Sequence, residues 1–176
     1  MGIRPARSIR DANKVAWTRF SRRKPRKSFV KSMPHADLHQ FMMGTKKPDY
    51  DRKYELVATE KMYHRDNAIE AARQSMNKVL EKELLERFFA KVRVYPHHII
   101  RENKMVAGAG ADRIQKGMRG AFGKPMDRAA LVAKGQTLFE IDTYGQHDLI
   151  ARKALERAAR KLSGTWKVKV EEKSDG

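Results

Sequence analysis

The chain has 176 residues, no cysteine, and 39 Lys and Arg against 21 Asp and Glu, a formal net charge of +18. That length suits one domain with or without a tail, and the missing cysteines exclude disulfides, thiolate zinc sites and cysteine nucleophiles. No run of about 18 apolar residues is available to span a bilayer, and no apolar core of about 7–15 residues opens the chain as a secretory signal, so a soluble intracellular protein is expected.

The charge is unevenly placed. Residues 1–31 hold 11 basic and 1 acidic side chains, residues 90–134 hold 10 and 3, and the stretch between them is balanced. Such clusters repel themselves in a compact state unless a polyanion neutralises them, and nucleic acid is the usual one.

Residues 1–31 read as a basic arm. The run RFSRRKPRK at 19–27 has little apolar surface to bury, and Pro5 and Pro25 argue against one continuous helix. Trp17 and Phe20 are its aromatic exceptions; they either dock on the neighbouring core or stack on nucleobases. A single domain is expected over 32–170, with a polar tail at 171–176.

Within the domain, 38–43 and 54–59 are short β-prone runs bounded by Gly44, Pro48 and Asp49. Residues 65–86 change period: Ile69, Ala72, Met76, Val79 and Leu80 form the stripe of an amphipathic helix, with Asp66 as its expected N-cap. Residues 88–100 alternate through Val92, Arg93 and Val94, a half-buried strand with Lys91 and Arg93 on its open face; Pro96 implies a bend or bulge at an edge. A strand pair is expected at 130–133 and 137–142, joined by Lys134 and Gly135. A second helix follows over 147–162, with Ile150, Ala151, Ala154, Leu155, Ala158 and Leu162 on one stripe and Gly164 closing it. Residues 165–170 alternate as a last strand. The economical fold is α+β: two helices on one side of a mixed, largely antiparallel sheet of about six strands.

Residues 101–128 are the most informative stretch. Five glycines lie between Gly108 and Gly123, interleaved with Arg113, Lys116, Arg119 and Lys124. A dinucleotide fingerprint starting at Gly108 needs glycine where Arg113 stands, and no glycine here begins a Walker A loop. The run 119–123 only faintly echoes an RNA-recognition strand, because Lys124 and Pro125 follow where apolar positions are required. What remains is physical: glycines let backbone N–H groups approach phosphate closely, and the interleaved cations supply charge and forked donors. A solvated flexible loop is the alternative, and the surrounding charge favours binding.

The histidines are weaker. His97 and His98 are adjacent, so on a strand they point to opposite faces and cannot chelate one metal. A small-molecule enzyme using His97, His98 and Asp112 lacks a nucleophile; a free nucleic-acid-compacting protein is a second rival.

The blocks RVYPHHIIRENKM at 93–105 and AGADRIQKGMRGAFGKP at 109–125 closely resemble the large-subunit ribosomal protein family called L-ten-e in archaea and eukaryotes and L-sixteen in bacteria. RPAR at 4–7 and the stretch 29–44 are similar to the same family, and the missing cysteines and short C-terminus look archaeal. The resemblance implies two helices against a sheet and a structural place in the ribosome, on 23S-type rRNA. Further implied partners are tRNA, neighbouring large-subunit proteins and, as a candidate, 5S rRNA. It implies no catalysis, cofactor, metal, membrane contact or homo-oligomer. Carried onto this chain, the rRNA contacts fall on Arg4, Arg7, Arg10, Lys14, Arg19, Arg22, Arg23, Lys24, Arg26 and Lys27 of the arm, and on Lys91, Arg93, Arg119 and Lys124. The loop facing tRNA near the A site and peptidyl-transferase centre would comprise Lys104, Met105, Gly108, Gly110, Asp112, Arg113 and Lys116.

Overall fold

The structure, a computed structural model, describes residues 30, 32–106, 108–110, 113, 115–120 and 122–172. The arm positions from Arg4 to Lys27, Trp17 and Phe20 among them, therefore lie outside the described residues. In chain order the elements are β1 (Met42–Gly44), β2 (Arg52–Ala58), β3 (Met62–Arg65), α1 (Asp66–Leu84), β4 (Phe88–Val92), β5 (His98–Glu102), β6 (Lys124–Val132), β7 (Thr137–Thr143), α2 (Asp148–Ala159) and β8 (Trp166–Glu172). Single 3-10 turns occupy Gly117–Gly120 and Gly145–His147.

The α+β class and the two helices are as expected. The sheet is not one but two: a five-stranded sheet in the order β1-β4-β7-β2-β8 and a three-stranded sheet in the order β3-β6-β5. Every strand pairing among the described residues is antiparallel. Alternation sorts the large sheet into two faces. Tyr54 and Leu56 of β2, Phe88, Ala90 and Val92 of β4, and Phe139 and Ile141 of β7 are buried on one face. They join the stripes of α1 (Ile69, Ala72, Met76, Val79, Leu80) and α2 (Ala151, Ala154, Leu155, Ala158) in one core. Truncating a buried phenylalanine such as Phe139 to Ala would cost about 3–5 kcal/mol.

Four local expectations are corrected. The expected pair at 130–133 and 137–142 is not a hairpin, because β6 belongs to the small sheet and β7 to the large one. The turn between them is pinned to β2 instead: the Gly135 N–H donates to the Ala58 carbonyl at 2.8 Å and the Ala58 N–H to the Gln136 carbonyl at 3.0 Å. Likewise 88–100 is two strands in different sheets, with the Pro96 segment handing the chain from one to the other. Asp66 is not the N-cap of α1; Arg65 holds that position, and Asp66 is fully buried in the first turn. The second helix ends at Ala159 and a turn follows, so Gly164, at φ +82°, shapes the exit toward β8 rather than the helix end.

Pro125 lies inside β6, the central strand of the small sheet, where a proline is normally excluded. It is tolerated because it is the second residue of the strand and sits at a bulge. Ile100 pairs with Asp127 and Arg101 with Pro125, leaving Met126 without a partner across the ladder. The final strand runs through Glu172, two residues past its expected end.

Candidate nucleic-acid interface

β5 delivers the chain into the glycine-rich segment and β6 receives it, so both ends of the loop are fixed by one antiparallel ladder. Amide side chains then close its neck. Gln115 Nε2 donates to Asn103 Oδ1 at 3.3 Å and to the Lys104 carbonyl at 3.2 Å, while its Oε1 accepts the Val106 N–H at 2.7 Å. Asn103 Nδ2 also donates to the Gly117 carbonyl at 3.4 Å. Asn103, Lys104 and Val106 on the way in are thus tied to Gln115 on the way out by hydrogen bonds. Gly110, at φ +81°, accepts the Arg113 N–H on its carbonyl at 3.1 Å, a turn that favours glycine.

Met105, Gly108, Gly110, Arg113 and Lys116 are exposed and Lys104 is half-buried; Asp112 lies outside the described residues. Beyond the neck, Arg119 sits on the 3-10 turn and Lys124 opens β6, both exposed. Among the described residues none of Arg113, Lys116, Arg119 and Lys124 pairs with a carboxylate.

Lys91 and Arg93 stand in different surroundings, on the outward face of the five-stranded sheet. One row across four strands places two glutamates between two lysines: Lys91 faces Glu140, Glu140 faces Glu55, and Glu55 faces Lys169. Arg93 Nε lies 3.3 Å from Glu140, and Lys53 Nζ lies 2.8 Å from Glu55 and 3.6 Å from Glu140. Lys169 pairs with Glu171. This face is close to self-neutral, whereas the loop is not.

The structure separates the two histidines as their adjacency requires. His97 is exposed against the Tyr95 ring, at 4.7 Å between centroids. His98 is half-buried, its ring edge-on to Tyr63 at 5.1 Å, and burial holds its pKa below the ordinary imidazole value.

Among the described residues one carboxylate group could in principle hold a cation: Asp37, Asp66 and Asp127, with candidate ligand atoms within 4.8 Å of one another. Its charge already has protein partners. Arg65 pairs with Asp127, and the Asp37 N–H donates to Asp66 Oδ2 at 2.9 Å, tying the segment before β1 onto the start of α1. Burial, with Asp127 alongside, pushes the Asp66 carboxyl up to about 6.

Sequence reasoning missed the neck, because Asn103 and Gln115 are ordinary polar residues whose significance exists only once 103 and 115 are brought together. It also missed Arg101, whose guanidinium stacks over Phe122. No described helix is long and apolar enough to cross a membrane.

A family model described as ribosomal protein L16p/L10e matches residues 18–169. The chain is 44% identical over 163 residues to a large ribosomal subunit protein uL16 of Staphylothermus marinus, covering 92% of this chain and 90% of the relative. A protein of the same description from Hyperthermus butylicus is 44% identical over 146 residues, covering 82% and 81% of the two chains. Another from Archaeoglobus fulgidus is 42% identical over 156 residues, covering 88% and 90%.

Proposed function

The chain belongs to the ribosomal protein L16p/L10e family, and from that premise we propose that it anchors 23S-type rRNA and presents its glycine-rich loop to tRNA near the A site and the peptidyl-transferase centre. Its family is one of structural proteins of the large ribosomal subunit, not of enzymes, so the reading of His97, His98 and Asp112 as a catalytic group is set aside. The observation that carries the proposal is the contrast between cations: Arg113, Lys116, Arg119 and Lys124 of the loop and its exit have no carboxylate partner among the described residues, while Lys53 and Arg93 of the sheet face do.

The division of labour is physical. Arm cations release counterions from rRNA phosphates, which supplies affinity with little dependence on sequence. The two-sheet core holds the β5–β6 ladder rigid, and the amide neck fixes where the loop leaves it. The exposed loop residues Arg113 and Lys116 then meet RNA, either rRNA at the loop base or tRNA beyond it. Neighbouring large-subunit proteins and 5S rRNA are further proposed contacts.

Two measurements test this. Binding of the full chain to 23S-type rRNA fragments across a salt series should exceed binding to duplex DNA of equal length; equal affinity would favour a free compacting protein instead. Large subunits reconstituted with the Arg113→Ala, Lys116→Ala double variant should keep the protein bound but hold A-site tRNA more weakly. Unchanged tRNA occupancy would remove the tRNA-facing assignment.

A further inference from the structure

The segment between β4 and β5 keeps the alternation of a strand although it belongs to neither sheet. Val92, Val94 and Pro96 are buried, and Arg93, Tyr95 and His97 alternate with them on the exposed side. The His97 N–H donates to the Tyr95 carbonyl at 3.0 Å, a tight turn that sets the two rings side by side at 4.7 Å. Phe41, from the strand edge alongside, stacks on Tyr95 at 5.7 Å with an interplanar angle of 21°. Tyr95 is nonetheless 44% exposed.

A single exposed aromatic needs no explanation; this one is held in place. Arg128 of β6 donates from its η nitrogen to the Tyr95 hydroxyl at 3.3 Å and from Nε to the Pro34 carbonyl at 2.8 Å. Both acceptors are neutral. Arg52, Arg65, Arg73, Arg93 and Arg152 each rest on a carboxylate, so Arg128 differs from them: among the described residues its charge has no acidic partner. An aromatic surface fixed before binding loses little conformational entropy on contact, and an uncompensated guanidinium beside it suits a phosphate.

We propose that Tyr95, His97 and Arg128 form a binding site for one unpaired nucleotide of RNA, its base stacking on the exposed rings and its phosphate meeting the Arg128 guanidinium. The site is separate from the glycine-rich loop and differs in kind from the arm, because it recognises an unstacked base rather than charge alone. It rests on the RNA-binding reading above.

The test uses the full chain and 23S-type rRNA fragments over a salt series, with duplex RNA of equal length as the control probe. Tyr95→Leu keeps apolar bulk but removes the ring, and should weaken rRNA binding by about five- to a hundred-fold with the salt slope unchanged. Tyr95→Phe should bind within about twofold of the parent, and Arg128→Gln should lower the slope by about 0.7–0.9, one phosphate. Duplex RNA should not distinguish Tyr95→Leu from the parent. Short-wavelength ultraviolet cross-linking followed by peptide mapping should place a nucleotide adduct on Tyr95 or His97. If Tyr95→Leu, folded by its thermal transition, binds rRNA as tightly as the parent, or adducts form only elsewhere, the site is wrong while RNA binding stands. If the parent chain shows no preference for rRNA, the reading beneath it fails instead.

Discussion

The guanidinium carbon of Arg101 lies 4.0 Å from the centre of the Phe122 ring, which ties the strand entering the glycine-rich segment to a residue two positions before the strand that leaves it. The bulge between Ile100 and Arg101 marks where the ladder loses register as Arg101 comes opposite Pro125. This contact and the Gln115 neck close the excursion at two levels. Phe122→Leu removes the ring face and should cost about 0.5–1 kcal/mol. Hydrogen exchange should quicken at the amides of 101–104 and 115–119; unchanged protection would mean the contact does not hold the loop base.

At Gly123 the chain leaving the segment passes close against the backbone of Arg101 and Glu102. A Cβ there would lie 2.6 Å from the Glu102 backbone N and C and 2.9 Å from the Arg101 carbonyl carbon. No flexible side chain can move aside, so the β5–β6 ladder itself must open. Gly123→Ala should cost about 2–3 kcal/mol and lower the thermal midpoint by about 5–10 °C. A midpoint within a degree or two of the parent would show that the ladder can absorb the methyl group.

His64 and Asp66 act against each other on acidification. Burial lowers the His64 pKa to about 4 and, as the largest cause, raises that of Asp66 to about 6. Neutral His64 favours the fold above its unfolded value of about 6.5, a contribution lost as pH falls toward 4. Protonated Asp66 contributes below its unfolded value of about 4, and that is lost as pH rises through 6. Between about pH 4 and 6 the two slopes have opposite signs, so the parent's urea midpoint should change little there. Asp66→Asn should expose the histidine slope, with stability falling on acidification. His64→Gln should expose the reverse slope, and parallel profiles for both variants would refute the opposition.

Leu85 ends α1 at φ +52°, a left-handed backbone that L side chains resist, and its side chain is 74% exposed. Little burial offsets that strain. Leu85→Gly should therefore stabilise the protein by about 0.5–1 kcal/mol, the relief of about 1–2 kcal/mol being partly cancelled by glycine's freedom in the unfolded chain. A higher urea midpoint with an unchanged slope checks it; a lower one would mean the Leu85 side chain contributes contacts worth more than the strain.

Glu140 draws Lys53 and Arg93 and stands opposite Lys91. If Lys91 and Arg93 meet rRNA, as the family resemblance implies, Glu140 competes with phosphate for them. Glu140→Gln should then tighten binding at low salt and steepen its salt dependence. Identical salt profiles would place this sheet face away from RNA.

Much of this protein is legible along the chain. The stripes of α1 and α2 are correct residue by residue for Ile69, Ala72, Met76, Val79 and Leu80, and for Ala151, Ala154, Leu155 and Ala158, because helical burial repeats over neighbours a few residues apart. The partition of charge and the family blocks at 93–105 and 109–125 are equally local. Strand existence was readable and strand pairing was not. β6 and β7 follow one another across a short turn yet join different sheets, a choice made by backbone hydrogen bonds from 135 and 136 to Ala58.

Charge placement and helical periodicity along the chain were enough to show that it is basic, which segments hold the excess, and where its two helices lie. Only the tertiary structure decided which cations are already neutralised, as Arg93 is on Glu140, and which are not, as with Arg128 beside Tyr95. It also made Gln115 the lock of the loop neck and Asp66 a buried carboxyl rather than a cap. The physical reason is range: helix periodicity and net charge are sums over adjacent residues. Sheet register, charge compensation and desolvation depend on partners tens of residues away, which the chain acquires only by folding.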